Sequence, residues 1–380
     1  MSATMKLGVI GSGYVGLELI QVMSRGYETQ DCKIVAYDIS EERSAYVDSV
    51  TGDNVSASND QETLAGCSAF MICVPTPDDA NGRPDESCLR AAKELVETYA
   101  SIGSIVILES SVCIGDTRAI FGDLREKGIY VAFSPERVDP GRSFPAAHTI
   151  HKLIGGIDQV SLDKALAVYA PAFDNLVPVS SPEVAEFSKL YENTFRLVNI
   201  AFANQMADAA KKMGLDPTEI YNAVKTKPFG LDGPFTHGLG AGGPCLPSNA
   251  LHMLHTCDVP LLKSASDVLA ERPSNKAYEF FGLATGNHIK KVVVSGLTFK
   301  KNVSTLVASP ALSFVKQLAK LMNIVVHDPM VDRKYLPELK FTDDLETDLA
   351  AADCVILLVA HDHPDTDIVK NYTNKMFWKP

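Results

Sequence analysis

A cysteine ends a glycine-dense run, His237-Gly-Leu-Gly-Ala-Gly-Gly-Pro-Cys-Leu-Pro247. Gly238, Gly240, Gly242 and Gly243 give up backbone order, and the usual return is close approach of bare amides to a ligand. A thiol at the end of such a loop, Cys245, is sited to act as a nucleophile. The alternative is a tight turn followed by an inert, half-buried cysteine. A second chemical group lies upstream. Lys189, Asn193 and Arg196 stand at i, i+4 and i+7 of one helical pattern and so share a face. Burying such charges alone is costly, so the face needs a ligand pocket or an interface, or else is a solvated stripe.

The elements around these residues read as nucleotide-binding α/β structure. The strand-like run at 6–10 leads into Gly11-Ser-Gly13-Tyr14-Val15-Gly16 and then a helical stretch. A second strand ends at Asp38. This is the dinucleotide fingerprint. Gly11 makes the turn, Gly13 lets the backbone approach the pyrophosphate, Gly16 lets helix pack on strand, and Tyr14 and Val15 open that helix. Asp38 accepts from the adenosine ribose and repels a 2′-phosphate, which favours NAD over NADP. Three further strands alternate with helical patterns over 86–99 and 117–127, which predicts a doubly wound parallel sheet. Ligands sit at the carboxyl ends of such strands. Pro75-Thr76, Ser111 and Glu136-Arg137 fall there.

The alternation recurs from residue 290, with strands at 290–296, NIVVHDP and CVILLVAHD and a helix near Pro310–Lys320. The fold class expected is therefore α/β: two Rossmann-like doubly wound domains joined by a long central helix. The boundaries are 1–180 for the NAD-binding domain, 181–275 for a central helical region carrying the Cys loop, and 276–380 for the C-terminal domain. The central helix runs from Pro182, capped by Ser181, to a stop at Gly214. Its apolar residues lie nearly all round, which predicts burial of most of it.

With 380 residues, 22% of them charged, the composition is that of a soluble protein of two or three domains. A net charge of −12 with no long basic run argues against nucleic acid and anionic membrane as partners. No apolar stretch nears the roughly 20 residues that span a bilayer. The start enters a strand directly, with no secretory signal. Eight cysteines without a CxxC pair indicate neither zinc nor a disulfide framework, and a reducing cytoplasm fits. Cys73 and Cys354 read as core. His252 and His255 lack a completing ligand, and His361-Asp362-His363 with Asp365 reads as a solvated loop rather than a metal site. Trp378, the single tryptophan, is expected to pack locally.

Six motifs stand in order: GSGYVG, ESSVCIGDT, SPERVDPG, KLYENTFRLVNIAFANQ, TKPFGLDGPFTHGLGAGGPCLP and GLTFKKNVSTLVASPAL. Together they resemble the UDP-glucose/GDP-mannose dehydrogenase family over about residues 5–365. SPERVDPG, TKPFG and the Arg196, Asn199, Ile200 signature are most similar to the members that oxidise UDP-N-acetylhexosamines. UDP-glucose or GDP-mannose are the alternative substrates. The resemblance implies four-electron oxidation of the sugar C6 alcohol to a uronic acid by two NAD, through a thioester on Cys245. It implies Lys189 and Asn193 as oxyanion donors, Glu136 as general base and Ser111 as holder of a water. It places Arg137, Arg196, Gly240, Gly242, Gly243, Phe299 and Lys300 at the UDP-sugar, and it implies a cytoplasmic homodimer. Four positions depart from the family pattern. Asn249 stands for an aspartate, Pro244 for a histidine, and Thr305 and Val307 for an acidic residue and an arginine. An amide can hold a water but cannot take its proton, so Asn249 allows a slowed enzyme or a binding paralogue.

Overall fold

Alternate residues of β1 (Met5–Ile10) enter two different cores. Leu7 and Val9 join one apolar cluster and Ile10 the other. Burial on both faces is what a central parallel strand requires, and its buried stretch, Leu7 to Ile10, accordingly carries no polar side chain. The structure, a computed structural model, describes residues 5–79, 83–138, 146–230, 237–372, 375 and 378. Asp139–Gly141 of the SPERVDPG motif and residues 231–236 of the cysteine-loop motif lie outside them. The chain divides into two compact units, residues 1–192 with 251–257, and 193–250 with 258–380.

The first unit carries β1, α1 (Tyr14–Gly26), β2 (Cys32–Tyr37), α2 (Glu41–Val50), β3 (Val55–Ser58), β4 (Ala69–Ile72), α3 (Ser87–Tyr99), β5 (Ile105–Leu108), α4 (Asp116–Phe121), β6 (Tyr130–Phe133), β7 (Lys152–Gly156), α5 (Gln159–Tyr169) and β8 (Leu176–Val179). Its eight strands are ordered 3-2-1-4-5-6-7-8. The first six are parallel and follow the dinucleotide-fold order. β7 then runs antiparallel to β6, and β8 runs parallel to β7. The sheet is thus mixed at one edge, where wholly parallel strands were expected. β8 contains Pro178 and forms that edge, the place in a sheet that tolerates a residue without an N–H.

The long helix α6 (Pro182–Lys212) has the bounds its sequence signals predict. Its burial differs from expectation. Val184, Phe187, Tyr191, Phe195, Phe202 and Met206 are exposed, at 42–59%. Their spacing of three, four or seven residues makes one apolar stripe. The sequence is apolar nearly all round because two faces are apolar, and only one of them is covered by the described residues.

The second unit contains α7 (Pro217–Val224), the first turn of α8 (Leu246–Thr256), and α9 (Pro260–Gly286). It ends in a small α/β layer of β9 (Val292–Ser295), α10 (Pro310–Leu321), β10 (Ile324–His327), α11 (Leu345–Ala351), β11 (Cys354–Leu357) and α12 (Pro364–Lys370). The three strands are parallel in the order 10-9-11. Cys73 and Cys354 are buried in the cores, as their runs imply. Trp378 does not pack locally. Its ring stacks on Phe314 at 5.4 Å and tilts against Phe280 at 5.2 Å, both distant in sequence. His361 is not solvated either. It is 2% exposed, its Nδ1 accepts from the Asn302 amide at 2.9 Å, and its Nε2 lies 3.4 Å from Asp328. Among the described residues no group of three His, Cys, Asp or Glu side chains is placed to hold a metal.

Candidate active site

In the first unit, the predicted cradle forms between β1 and α1. Gly11 has φ +89°, and a Cβ there would meet the Cys73 carbonyl at 2.7 Å. A Cβ on Gly16 would lie 2.0 Å from the Gly11 carbonyl oxygen. Both positions therefore admit only glycine. A Cβ on Gly13 would meet nothing within 4 Å, so open space faces the loop where a pyrophosphate fits. Tyr14 and Val15 open α1.

Asp38 follows β2. Its Oδ2 accepts from the Ser12 amide at 2.8 Å and the Ser12 hydroxyl at 3.1 Å, and its Oδ1 accepts from the Ser40 amide at 3.0 Å. A carboxylate offers about four lone-pair positions, so capacity remains on Oδ1 for a ribose hydroxyl. Two neighbours were not anticipated from the sequence. The guanidinium of Arg43 donates to the Ser12 and Gly13 carbonyls at 2.6 and 3.0 Å, clamping the loop beside the pyrophosphate position. Ile39, next to Asp38, is 87% exposed. The signal for both was their place within five residues of the strand-terminal aspartate. At the neighbouring strand ends, Thr76 follows Pro75 and donates its hydroxyl to the Ser111 carbonyl at 2.7 Å.

Glu136 lies just beyond β6. Its Oε1 accepts from the amides of Arg137 and Val138 at 2.6 and 2.9 Å. Its backbone carbonyl accepts from Lys189 Nζ at 2.5 Å. Arg137 is held by Glu192, with Nη2 to Oε1 at 2.5 Å. Glu136, Arg137 and Lys189 thus lie together. Glu186 of α6 ties the same region down: its buried carboxylate accepts from the amides of Gly115 and Thr117 at 2.6 and 3.0 Å, capping α4.

In the second unit, the Cys245 thiol is exposed and immediately precedes α8. Its carbonyl accepts from the Asn249 amide at 2.9 Å, the first helical bond of that element. The Asn193 side-chain amide donates to Asn249 Oδ1. Arg196 Nε is buried without a hydrogen-bond partner among the described residues. The glycines of the loop approach protein. A Cβ on Gly242 would meet the Ala308 carbonyl at 2.4 Å, and one on Gly243 (φ +86°) the Phe299 ring at 2.5 Å. Gly240 also has a positive φ, +125°. Phe299 and Lys300 stand in the segment after β9; Thr298 Oγ1 donates to the Lys300 carbonyl at 2.9 Å. Thr305 accepts from the Val307 amide at 3.3 Å, and Val307 is exposed.

A buried anchor fixes the start of the loop. The Gly238 amide donates to Asn204 Oδ1 at 2.9 Å, and Arg272 Nε donates to the Gly238 carbonyl at 2.6 Å. Arg272 is paired to Asp208, which also bonds Lys276 at 2.8 Å. Burial, then the charges of Lys211 and Arg272, push the His237 imidazole below its ordinary value.

A dinucleotide cradle on a doubly wound sheet defines a nucleotide-binding α/β protein, and its second unit carries an exposed cysteine at a helix start. Sequence profiles of the UDP-glucose/GDP-mannose dehydrogenase family match in order: the NAD binding domain over residues 42–173, the central domain over 183–268 and the UDP binding domain over 293–380. The UDP-N-acetyl-D-mannosamine dehydrogenase of Pyrococcus horikoshii is 31% identical, across 95% of this chain and 90% of that one. The enzyme of the same name from Methanocaldococcus jannaschii is 27% identical, across 98% and 90%. A solved UDP-D-ManNAc dehydrogenase from Pyrococcus horikoshii has a TM-score of 0.85 at 28% identity, covering 98% of this chain and 93% of that one. A UDP-glucose dehydrogenase from Pyrobaculum islandicum, at 24% identity and a TM-score of 0.80 over 95% and 91%, shares the fold. The chain belongs to the UDP-glucose/GDP-mannose dehydrogenase family. It is an NAD-dependent nucleotide-sugar dehydrogenase.

Proposed function

We propose that the protein oxidises the C6 alcohol of a UDP-N-acetylhexosamine to the uronic acid, with Cys245 as covalent nucleophile. NAD supplies the hydride acceptor for both oxidations. The region 1–180 holds NAD, 181–275 carries the Cys loop, and 276–380 takes the UDP end. In the first oxidation Glu136 accepts the alcohol proton, through water, as the aldehyde forms. The Cys245 thiolate then bonds C6, and Lys189 and Asn193 stabilise the oxyanion. Loss of the second hydride leaves a thioester. Water adds to the acyl carbon, Glu136 takes its proton, and the thiolate departs. The balance is one alcohol, one water and two NAD to one carboxylate, two NADH and three protons. The single observation that carries this reading is the exposed thiol of Cys245 at the start of α8, with the Asn193–Asn249 pair one turn on.

Support for a hexosamine comes from the relatives named UDP-N-acetyl-D-mannosamine dehydrogenase and from the Arg196 signature. The Nε of Arg196, without a partner among the described residues, suits a substrate oxygen. The exposed stripe on α6 supports a homodimer, and eight free thiols support a reducing, cytoplasmic setting. The test is a panel of UDP-sugars, including UDP-glucose, with NAD, read as NADH appearance. Turnover of an N-acetylhexosamine and loss of the second NADH in Cys245→Ala are expected. A second reading, a nucleotide-sugar binder slowed after acylation, is favoured by Asn249. It predicts stabilisation by UDP-sugar and NAD without sustained turnover.

A further inference from the structure

Behind Glu136 lies a set of buried ionisable groups that the reaction above leaves unused. Lys152 opens β7 and Glu109 follows β5; they are 3% and 2% exposed. Lys152 Nζ lies 2.6 Å from Glu109 Oε2, 3.6 Å from Glu136 Oε2 and 3.4 Å from the Pro135 carbonyl. The Tyr169 hydroxyl, at the end of α5, donates to Glu109 Oε1. The rings of Tyr169 and Phe173 each stand 5.3 Å from the Lys152 ammonium. Cys73, after β4, is buried in electrostatic reach of the same groups. From α6, Lys189 binds the Glu136 carbonyl, and Arg137 is turned away onto Glu192.

A buried ion pair is weak support for stability, since apolar residues of equal volume often do as well. This set has a feature that packing does not require. Two carboxylates share one ammonium, so full ionisation leaves one more negative than positive charge among Glu109, Glu136 and Lys152. A proton on one carboxylate removes it. Glu136 is fastened by one oxygen to two amides and turns the other to Lys152. Its charge state is therefore tied to that of Glu109 through one shared cation.

We propose that Glu109 and Lys152 are positioning residues that orient Glu136 and set its strength as a base through a proton carried by Glu109. The inference rests on the reading of Glu136 as the general base. Burial first, offset by Lys152 and reinforced by Glu136, pushes the Glu109 carboxyl up to about 7. Burial disfavours the Lys152 ammonium, but the two carboxylates outweigh it and raise its value, so it stays charged. Burial and then the Glu109 charge push the Cys73 thiol and the Tyr169 phenol well above their ordinary values, so neither titrates near neutrality. With Glu109 protonated, the Lys152 ammonium faces one carboxylate, that of Glu136; once Glu109 ionises, the two carboxylates share it.

The experiment is the pH profile of kcat for the full-length enzyme with NAD and the UDP-sugar it turns over, with NAD-induced thermal shift as a check on folding. Wild type is expected to rise through about pH 7. Glu109→Gln should lose that rise, with the KM for UDP-sugar within about twofold. Lys152→Met leaves two carboxylates to share one proton and should move the limb at least one pH unit to the alkaline side. A wild-type pH profile in Glu109→Gln, whatever its kcat, overturns the proposal, since a structural role lowers rate without moving the limb. If Glu109→Gln does not fold, an unmoved limb in Lys152→Met overturns it instead. Glu136→Gln separates the two readings. It should lose about 10²–10⁴-fold in kcat as a base. Near-full activity there removes the base and the inference together, whereas inactivity there with an unmoved limb in Glu109→Gln removes only the inference.

Discussion

The side-chain amide of Asn193 donates its hydrogen bond to Oδ1 of Asn249, whose own backbone amide closes the first helical bond on Cys245. Asn249 can accept and orient, but it has no proton affinity to lend. If acylation outruns hydrolysis, the first turnover releases two NADH per site and the steady state is slow. Asn249→Asp keeps the bond from Asn193 and adds a base. The expected result is a smaller burst and a steady-state kcat about tenfold higher, less than the roughly 10²–10⁴-fold of a sole general base because Glu136 already serves the water. Stopped-flow NADH absorbance checks it.

We propose that Asp38 and Arg43 set the choice of cofactor. The carboxylate repels a 2′-phosphate, while Arg43, clamped to Ser12 and Gly13, could pair with one. Asp38→Gly is expected to lower kcat/KM for NAD and raise it for NADP, shifting the ratio by about 100-fold, or roughly 2.7 kcal/mol. Adding Arg43→Ala should reverse the gain for NADP. Kinetics with both cofactors at fixed UDP-sugar give the ratio.

Arg272 joins Asp208 to the Gly238 carbonyl, so it holds the loop that ends in Cys245. Arg272→Met is expected to destabilise by up to about 3 kcal/mol, the low end for unpairing a buried ion, because Lys276 still serves Asp208. Denaturant unfolding measures that cost. Cys245 alkylation should become faster as the loop loosens.

Glu183 is held at about 2 by its hydrogen bonds to Arg118, well below the usual carboxylate value. A depressed acid stabilises the fold above its unfolded value, and that contribution is lost as pH falls from about 4.5 to about 2. Glu183→Gln should therefore lower Tm at pH 6 and match wild type near pH 2. The effect at pH 6 is small, because Arg118 is half exposed and water screens the pair.

The central helix was legible to the residue because Ser181, Pro182 and Gly214 mark its ends. The cradle was legible because Gly11, Gly16 and Asp38 each meet a strict steric or electrostatic demand. β7 and β8 were not, since β7 opens on Lys152 and ends in two glycines, and Pro178 interrupts the short apolar run of β8. α9 was hidden by Pro273, buried inside a 27-residue helix. Long-range partners leave no local trace. Glu109 and Lys152 lie 43 positions apart, Arg272 and Gly238 lie 34, and His361 is drawn inward by Asn302 and Asp328. The stripe on α6 was misread because an all-round apolar helix looks the same whether its second face meets its own chain or another.

The lone indole stacked on Phe314 and leaning on Phe280 belongs to the small C-terminal core. As the single tryptophan of the chain, it makes fluorescence emission a reporter of that core, whose melting can be followed without an added label.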